Sequence, residues 1–145
     1  MKAAIHTSVL VAAAVEDHPR HAAAISWIRT RRRIERLASW HAFAEAWAVL
    51  TVLPIDPAVS GETARLVLER LGKLVRFVVP TGKIYGRAAS RCAALRLGSG
   101  AIFDAIHVAT AEAEGADVIL TYDEADFRRL ARPELRIVVP AAAPP

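Results

Sequence analysis

Five short apolar runs alternate with longer segments of helical periodicity along this chain. The runs have the length of buried strands, and they occupy Ala3–Thr7, Ile34–Ala38, Val75–Val79, Val118–Leu120 and Leu135–Val139. Between them, apolar residues recur about every 3.6 positions, as they do on one face of a helix. Strands that alternate with helices are typical of a parallel sheet covered by helices on both faces. We therefore predict an α/β fold in which helical layers enclose a five-stranded, mostly parallel sheet.

Capping residues and helix breakers limit the predicted helices. Ser39 and Ser60 stand at N-cap positions, and Pro54 and Gly72 follow the ends of the same two helices. The predicted helices are Ser8–Val15, Pro19 to about Arg32, Trp40–Leu53, Gly61–Leu71, Thr81 to about Leu97, Asp104 to the stop at Gly115, and a short one that follows Asp126 and ends near Ala131.

Two of these helices carry apolar stripes that we expect to face the core. The residues of each stripe are three or four positions apart, which places them on one side of a helix. They are Phe43, Trp47, Leu50 and Leu53 on one helix, and Ile84, Ala88, Cys92 and Leu95 on the other.

Three aspartates fall where an open parallel sheet collects its ligands. Right-handed crossovers place the first and fourth strands near the middle of the sheet, with position 6 and Asp123 at their C-terminal ends. Asp104 opens a helix, and Asp126 lies shortly after Asp123. A divalent cation is the commonest reason for carboxylates to gather beside positive helix ends. The pattern therefore predicts a metal site at the central crevice.

Glu45 is a further candidate for this site. It lies off the apolar stripe of its helix, and its neighbours are small, which leaves room for a ligand to approach the carboxylate: Ala42, Ala44, Ala46 and Ala48. The alternative is an ordinary exposed glutamate on a helix surface.

The composition indicates one globular domain, which we place at residues 1–139, followed by a flexible tail at 140–145. The single cysteine, Cys92, fits a reducing cytoplasm. No uncharged run reaches the roughly 18 residues of a membrane span, so we expect a cytoplasmic protein with no membrane partner. Ala3–Val15 behind Lys2 has some features of a signal peptide, but three polar residues at positions 6–8 interrupt it, which favours a strand followed by a helix.

The charge balance points weakly towards a polyanionic partner. The net charge is +4, and all but three of the 19 basic residues are arginine. A basic surface around an acidic site suits nucleic acid, although an arginine-rich genome composition explains the same excess. Arg29 and Arg31–Arg33 form a basic cluster at a predicted helix end. This cluster is either a solvated helix end or a rim that contacts phosphates.

Several segments together resemble a known family. They are IHTSVL at positions 5–10, HPRH at 18–21, the helix that bears Glu45, FDAIHVATA at 103–111, and LTYDEADF at 120–127. In order, spacing and predicted secondary structure this set resembles the PIN-domain family, and within it the VapC-like toxins of toxin–antitoxin modules. The resemblance extends over nearly the whole chain.

The resemblance implies a three-layer, Rossmann-like α/β/α PIN domain that acts as a Mg²⁺- or Mn²⁺-dependent endoribonuclease on RNA such as tRNA. It also implies a cognate antitoxin as partner and a homodimeric assembly. Matched residue by residue, Glu45, Asp104 and Asp123 fall on the catalytic metal-site positions of the family, and Asp126 falls on an additional acid. Thr7 and Thr121 match supporting positions of the family, whose hydroxyl groups hold the acids in orientation. His107 also matches a family position, and we interpret it as a packing or second-sphere residue rather than a ligand.

This sequence departs from the family at His6, where the family has aspartate. A neutral imidazole supplies no negative oxygen, and Mg²⁺ binds nitrogen poorly. His6 therefore indicates an impaired or inactive nuclease, a nuclease with a softer ion such as Mn²⁺ or Zn²⁺, or a substitution introduced into an otherwise active protein. The sequence leaves these three open.

Two other functions compete with a metal-dependent ribonuclease toxin. The first is a catalytically inactive PIN-type module that binds RNA or an antitoxin, and His6 is the feature that favours it. The second is a DNA-directed nuclease on the same fold. A Ser-His-Asp arrangement or a glycine-rich phosphate loop is absent from the sequence.

Overall fold

The described residues, 1–30 and 33–141 of a computed structural model, form one five-stranded sheet. The strand order is β3-β2-β1-β4-β5, and every neighbouring pair is parallel. The strands are β1 Lys2–Ile5, β2 Glu35–Ser39, β3 Arg76–Val78, β4 Val118–Leu120 and β5 Arg136–Val138. The predicted α/β fold is confirmed, and the first and fourth strands are neighbours at the centre of the sheet as expected.

The same residues form seven helices, close to the predicted positions. They are α1 Thr7–Ala14, α2 His21–Arg29, α3 Trp40–Leu50, α4 Gly61–Leu71, α5 Gly82–Ala94, α6 Ala101–Ala113 and α7 Glu124–Leu130. Within the described ranges, none of these helices is both long and apolar enough to cross a membrane. Part of the predicted arginine cluster (31–32) and most of the predicted tail (142–145) lie outside the described residues.

Helix α1 begins earlier than the sequence predicted, because Thr7 is its first residue and not the end of β1. His6 keeps an extended backbone, and its carbonyl accepts hydrogen bonds from the N–H groups of Val9 and Leu10. Those bonds close the first helical turn directly after the strand. The abrupt change of direction places the side chains of His6 and Thr7 at the same end of the sheet.

The two serine caps are confirmed. Ser39 Oγ accepts from the Ala42 N–H at 3.1 Å, and Ser60 Oγ accepts from the Thr63 N–H at 3.0 Å. Helix α3 is shorter than predicted, since the hydroxyl of Thr51 donates to the carbonyls of Trp47 and Ala48 at its C-terminus. This satisfies carbonyls that would otherwise be orphaned where the helix ends.

Alternate residues of the strands divide the core between two faces of the sheet. On β1, Ala3 and Ile5 pack with α1–α4, whereas Ala4 packs with α5–α7. On β4, Ile119 lies on the α5–α7 face while its two neighbours lie on the other. A strand buried on both faces reads as a continuous apolar run, which explains why β4 was predicted with its exact bounds.

Two residues expected in the core lie at the surface. Trp47 is 41% exposed, because its indole N–H donates to the Gly61 carbonyl and its ring lies against that glycine across α3 and α4. Leu95 is 45% exposed, because α5 ends at Ala94 and the chain turns away before the next helical contact. The remaining stripe residues are buried or pack against the core as expected.

Candidate functional site

The site lies at the C-terminal ends of the two central strands. Ile5 pairs with Leu120 across β1 and β4, and the His6 N–H donates to the Leu120 carbonyl at 3.0 Å. The residues that directly follow the strands, His6 and Thr121, therefore stand side by side and are both buried. Ligands of open parallel sheets gather at this edge.

His6 is held firmly by its neighbours. Its Nδ1 lies 2.9 Å from Thr121 Oγ1 and 3.0 Å from Ser8 Oγ, and its ring packs on Phe127 with the ring centroids 4.5 Å apart. Burial lowers the pKa of His6, although the neighbouring carboxylates, Asp123 first, oppose that shift. The ring is therefore neutral at pH 7.

Two aspartates flank the His6 ring. Its Nε2 is 3.6 Å from Asp104 Oδ1, and its Nδ1 is 3.4 Å from Asp123 Oδ2. Helix α6 begins at Ala101, three residues before the predicted start at Asp104, so Asp104 lies in its first turn, and Asp123 is the N-cap residue of α7. The substituted position and two of the predicted acids thus meet in the structure.

The pKa values of the two aspartates shift in opposite directions. Burial raises the pKa of Asp104 to about 6, and the charges of Asp123, Glu45 and Asp126 add to the rise. The interaction with His6 lowers the pKa of Asp123, despite its partial burial. Asp104 is therefore the carboxylate whose ionised form would gain most from a nearby cation.

Glu45 reaches the same place from α3. Its Oε2 accepts from Thr7 Oγ1 at 2.7 Å and lies 2.6 Å from His107 Nε2. Burial alone would raise the pKa of Glu45, but the contact with His107 and the hydrogen bond from Thr7 lower it to about 2. Glu45 is a half-buried, fixed and ionised carboxylate rather than a freely exposed one.

His107 connects Glu45 to the end of β2. Its Nδ1 lies 2.9 Å from Ser39 Oγ, while its Nε2 faces Glu45, and the side chain is buried. The ring also contacts that of His6, with the centroids 4.9 Å apart. One hydroxyl on one ring nitrogen and one carboxylate on the other fix the orientation of the imidazole.

Asp126 lies at the edge of the group. It lines a cavity of about 360 Å³ beside the site, together with Asp104 and Arg129. Its side chain is exposed, and it influences the group through its charge on Asp104. The structure thus gathers four predicted residues closely, His6, Glu45, Asp104 and Asp123, and leaves the fifth nearby.

The carboxylates of Glu45, Asp104 and Asp123 line one cleft and offer the oxygen ligands that Mg²⁺ prefers, but their oxygens do not all lie within 4.8 Å of one another. A second set mixes nitrogen and oxygen: one ligand atom from each of His6, Glu45 and His107 lies within 4.8 Å of the other two. Such a set suits transition metals.

An open cleft of about 430 Å³ leads to these residues. His6, Glu45, Asp104 and Asp123 lie on its walls, and Arg20 is also part of the lining. The Arg20 guanidinium lies over the Tyr122 ring, 4.4 Å from the ring centroid. The stacked guanidinium places a positive charge on the wall of the cleft, beside the carboxylates.

Sequence reasoning missed several members of the site. His41 lies one helical turn before Glu45, and its Nε2 is 3.7 Å from Glu45 Oε1. The four-residue spacing on one helix could have indicated it. Ser39 gave no such signal, because it contacts His107 from a distant part of the chain, whereas Ser8 lies two residues after His6 and could have been considered with it.

A family-wide sequence model of the PIN domain matches residues 4–133, which include the candidate acids and His6 and end before β5. The chain belongs to the PIN-domain family. A search of curated protein sequences gave no significant match.

Solved structures share this PIN fold at low sequence identity. VapC20 of Mycobacterium tuberculosis, described as a sarcin–ricin loop cleaving toxin, has 20% identity and a TM-score of 0.70, over 92% of this chain and 98% of its own. VapBC-1 of nontypeable Haemophilus influenzae has 17% identity and a TM-score of 0.70, over 98% and 100%. VapBC2 of Rickettsia felis, bound to a DNA fragment from the promoter, has 16% identity and a TM-score of 0.66, over 96% and 98%. These structural neighbours are VapC toxins of VapBC toxin–antitoxin modules.

Proposed function

We propose that this PIN domain is a metal-dependent endoribonuclease, the toxin of a toxin–antitoxin pair. The convergence of Glu45, Asp104 and Asp123 on one cleft, at the C-terminal ends of β1 and β4, carries this proposal. The three carboxylates come from distant parts of the chain and line the same cleft.

The residues present fit a divalent cation. Asp104 is partly desolvated and repelled by its neighbours, so a cation beside it would relieve an unfavourable charge. In this proposal Glu45, Asp104 and Asp123 hold the ion, and Asp126 assists from the edge. A bound divalent cation supplies Lewis-acid chemistry, since it neutralises a phosphate oxygen and acidifies water.

The chain's own residues orient the carboxylates and the substrate. Thr7 and His107 fix the Glu45 carboxylate, and Thr121 fixes the His6 ring that separates the two aspartates. Arg20 would bind a backbone phosphate of the RNA, because it lies on the cleft wall near the carboxylates. Correct placement of a phosphodiester between a cation and a guanidinium lowers the entropic barrier to cleavage.

The structural neighbours support the biological setting of the proposal. One is described as a toxin that cleaves the sarcin–ricin loop, and others are VapBC assemblies. We extend the proposal accordingly to RNA as substrate, an antitoxin protein as partner, a homodimeric assembly and a cytoplasmic location.

One observation favours an inactive binding module instead. His6 is neutral and buried where the family has an acid, and both of its neighbouring hydroxyls engage Nδ1. In that alternative the cleft binds RNA or an antitoxin without cleaving it.

The test is cleavage of total RNA by the purified protein with Mg²⁺ or Mn²⁺. We expect cleavage that Asp104→Asn and Asp123→Asn abolish. Glu134→Gln is the matched control, since this exposed residue precedes β5 and lies at the opposite edge of the sheet. Cleavage by a His6→Asp variant alone would establish the inactive module. Equal cleavage by the Asn variants would overturn the site assignment.

A further inference from the structure

The cluster of His6, Glu45 and His107 has the composition of a transition-metal site. Its three ligand atoms lie within 4.8 Å of one another and come from three separate segments: the end of β1, α3 and α6. Two imidazoles and one carboxylate are a frequent donor set for zinc and its neighbours, whereas Mg²⁺ prefers oxygen ligands alone.

Hydroxyl groups orient both imidazoles for this purpose. Ser39 Oγ contacts His107 Nδ1, and Thr121 Oγ1 contacts His6 Nδ1, each at 2.9 Å. When Nδ1 carries the proton and donates it to a hydroxyl oxygen, the lone pair of Nε2 is free for a metal. Metal-binding histidines are commonly held by such a contact on the second ring nitrogen.

The contact between His107 and Glu45 brings two donor atoms of the cluster together. At 2.6 Å, His107 Nε2 and Glu45 Oε2 share the proton of the imidazole nitrogen. An ion bound to both atoms would take the place of that proton, which would move to Nδ1, the ring nitrogen that faces Ser39 Oγ.

A further nitrogen stands at the edge of the cluster. His41 Nε2 is buried and makes no hydrogen bond to any part of the chain that the structure describes. Its nearest acidic partner, Glu45 Oε1, is 3.7 Å away, beyond hydrogen-bonding distance. Among the described residues no side chain competes for this nitrogen, so it is placed to act as a further donor to an ion beside Glu45.

From these contacts we propose that His6, Glu45 and His107 bind a nitrogen-preferring divalent transition metal such as Zn²⁺, with His41 as an additional donor. The substitution at position 6 then changes which ion the PIN domain takes rather than simply removing a ligand. This proposal extends the proposed function. It rests on the proposed function only for the claim that the bound ion takes part in RNA cleavage, and not for the binding of the ion.

The experiment measures ion binding without RNA, so that its outcome is independent of cleavage. Metal-free protein is titrated calorimetrically with Zn²⁺, Co²⁺ and Mg²⁺, and the visible spectrum of the Co²⁺ complex is recorded. We expect one Zn²⁺ per chain and a Co²⁺ spectrum typical of nitrogen and oxygen ligands. Because most metal sites bind Zn²⁺ more tightly than Mg²⁺, the comparison of ions alone does not identify the ligands. Variants of the proposed ligands are therefore needed.

Three variants test the assignment of ligands. His107→Gln should weaken Zn²⁺ binding at least 30-fold, and His6→Asp should weaken Zn²⁺ and strengthen Mg²⁺ at least tenfold each. His21→Gln is the matched control, because His21 contacts the Ala12 carbonyl and does not belong to the cluster. A circular dichroism spectrum of each variant shows whether it is folded.

Two results would overturn the proposal: Zn²⁺ affinity that is unchanged in folded His107→Gln and His6→Asp, or an unchanged Mg²⁺ affinity in His6→Asp. Failure of the proposed function looks different. In that case Zn²⁺ binds as described, and RNA stays intact with every ion.

Discussion

His107 Nε2 lies 2.6 Å from Glu45 Oε2, and this contact joins α6 to α3 at the entrance of the cleft. It explains why Glu45 stays ionised to about pH 2 even though the side chain is half-buried. The stability that such a depressed pKa provides is present above the ordinary glutamate pKa of 4.5 and is lost as the pH falls towards 2.

Replacement of His107 should therefore destabilise the metal-free protein. We expect His107→Gln to lower the free energy of unfolding at pH 7 by about 1–3 kcal/mol, because a charge-assisted hydrogen bond is lost next to a half-buried carboxylate. The Glu45 pKa should rise towards 4.5, as followed by carboxyl NMR. A Glu45 pKa that stays near 2 in the variant would show that His107 does not hold the carboxylate.

Asp104→Asn should stabilise the metal-free protein at neutral pH. Since the folded-state pKa of Asp104 is raised to about 6, its ionisation opposes folding, and this penalty is absent below the ordinary value of 3.8 and complete above 6. With allowance for solvent screening we expect a gain of about 1–2 kcal/mol at pH 7.5 and none near pH 3.5. Urea unfolding at several pH values in the presence of a chelator measures it, and a gain that does not depend on pH would contradict it.

His6→Asp should make the stability of the fold depend on Mg²⁺. A third carboxylate beside Asp104 and Asp123 adds repulsion. The free energy of unfolding of the metal-free variant should therefore fall by about 1–3 kcal/mol, and the variant should unfold at a lower temperature. Mg²⁺ at 100 times its dissociation constant should then restore about 2.7 kcal/mol. Thermal unfolding with and without Mg²⁺ tests both, and a variant that is indifferent to Mg²⁺ refutes the second.

Arg20→Gln should weaken RNA binding through the loss of one phosphate contact. We expect the slope of log affinity against log salt to become less steep by about one ionic contact. Arg65→Gln provides the matched control, because Arg65 lies on α4, pairs with Glu62 and does not line the cleft. Equal slopes for the two variants would remove Arg20 from the proposed RNA path.

The strands and helices could be predicted from the sequence because the features that determine them are local. The buried runs of β1 and β4 and the caps at Ser39 and Ser60 depend on residues close together in the chain. The errors at Trp47 and Leu95 arose where a contact with another segment, or the exact end of a helix, decides the exposure of a side chain.

The topology and the family resemblance predicted that four candidate residues lie close together, but they did not predict the contacts among them. Nothing in the sequence pairs His107 with Ser39 or with Glu45, since these partners lie on separate elements. The opposite pKa shifts of Asp104 and Asp123 depend on burial and distance, which the order of residues does not contain.

Ser39 Oγ caps α3 through the Ala42 N–H and also contacts His107 Nδ1. One oxygen atom therefore serves the start of the helix that carries Glu45 and the ring that faces Glu45. Evolution cannot adjust the two separately at this position: a residue without a side-chain oxygen would loosen both in a single mutational step. Among descendants of this sequence, drift at position 39 should be confined to short polar residues that cap helices, for as long as the cleft is under selection.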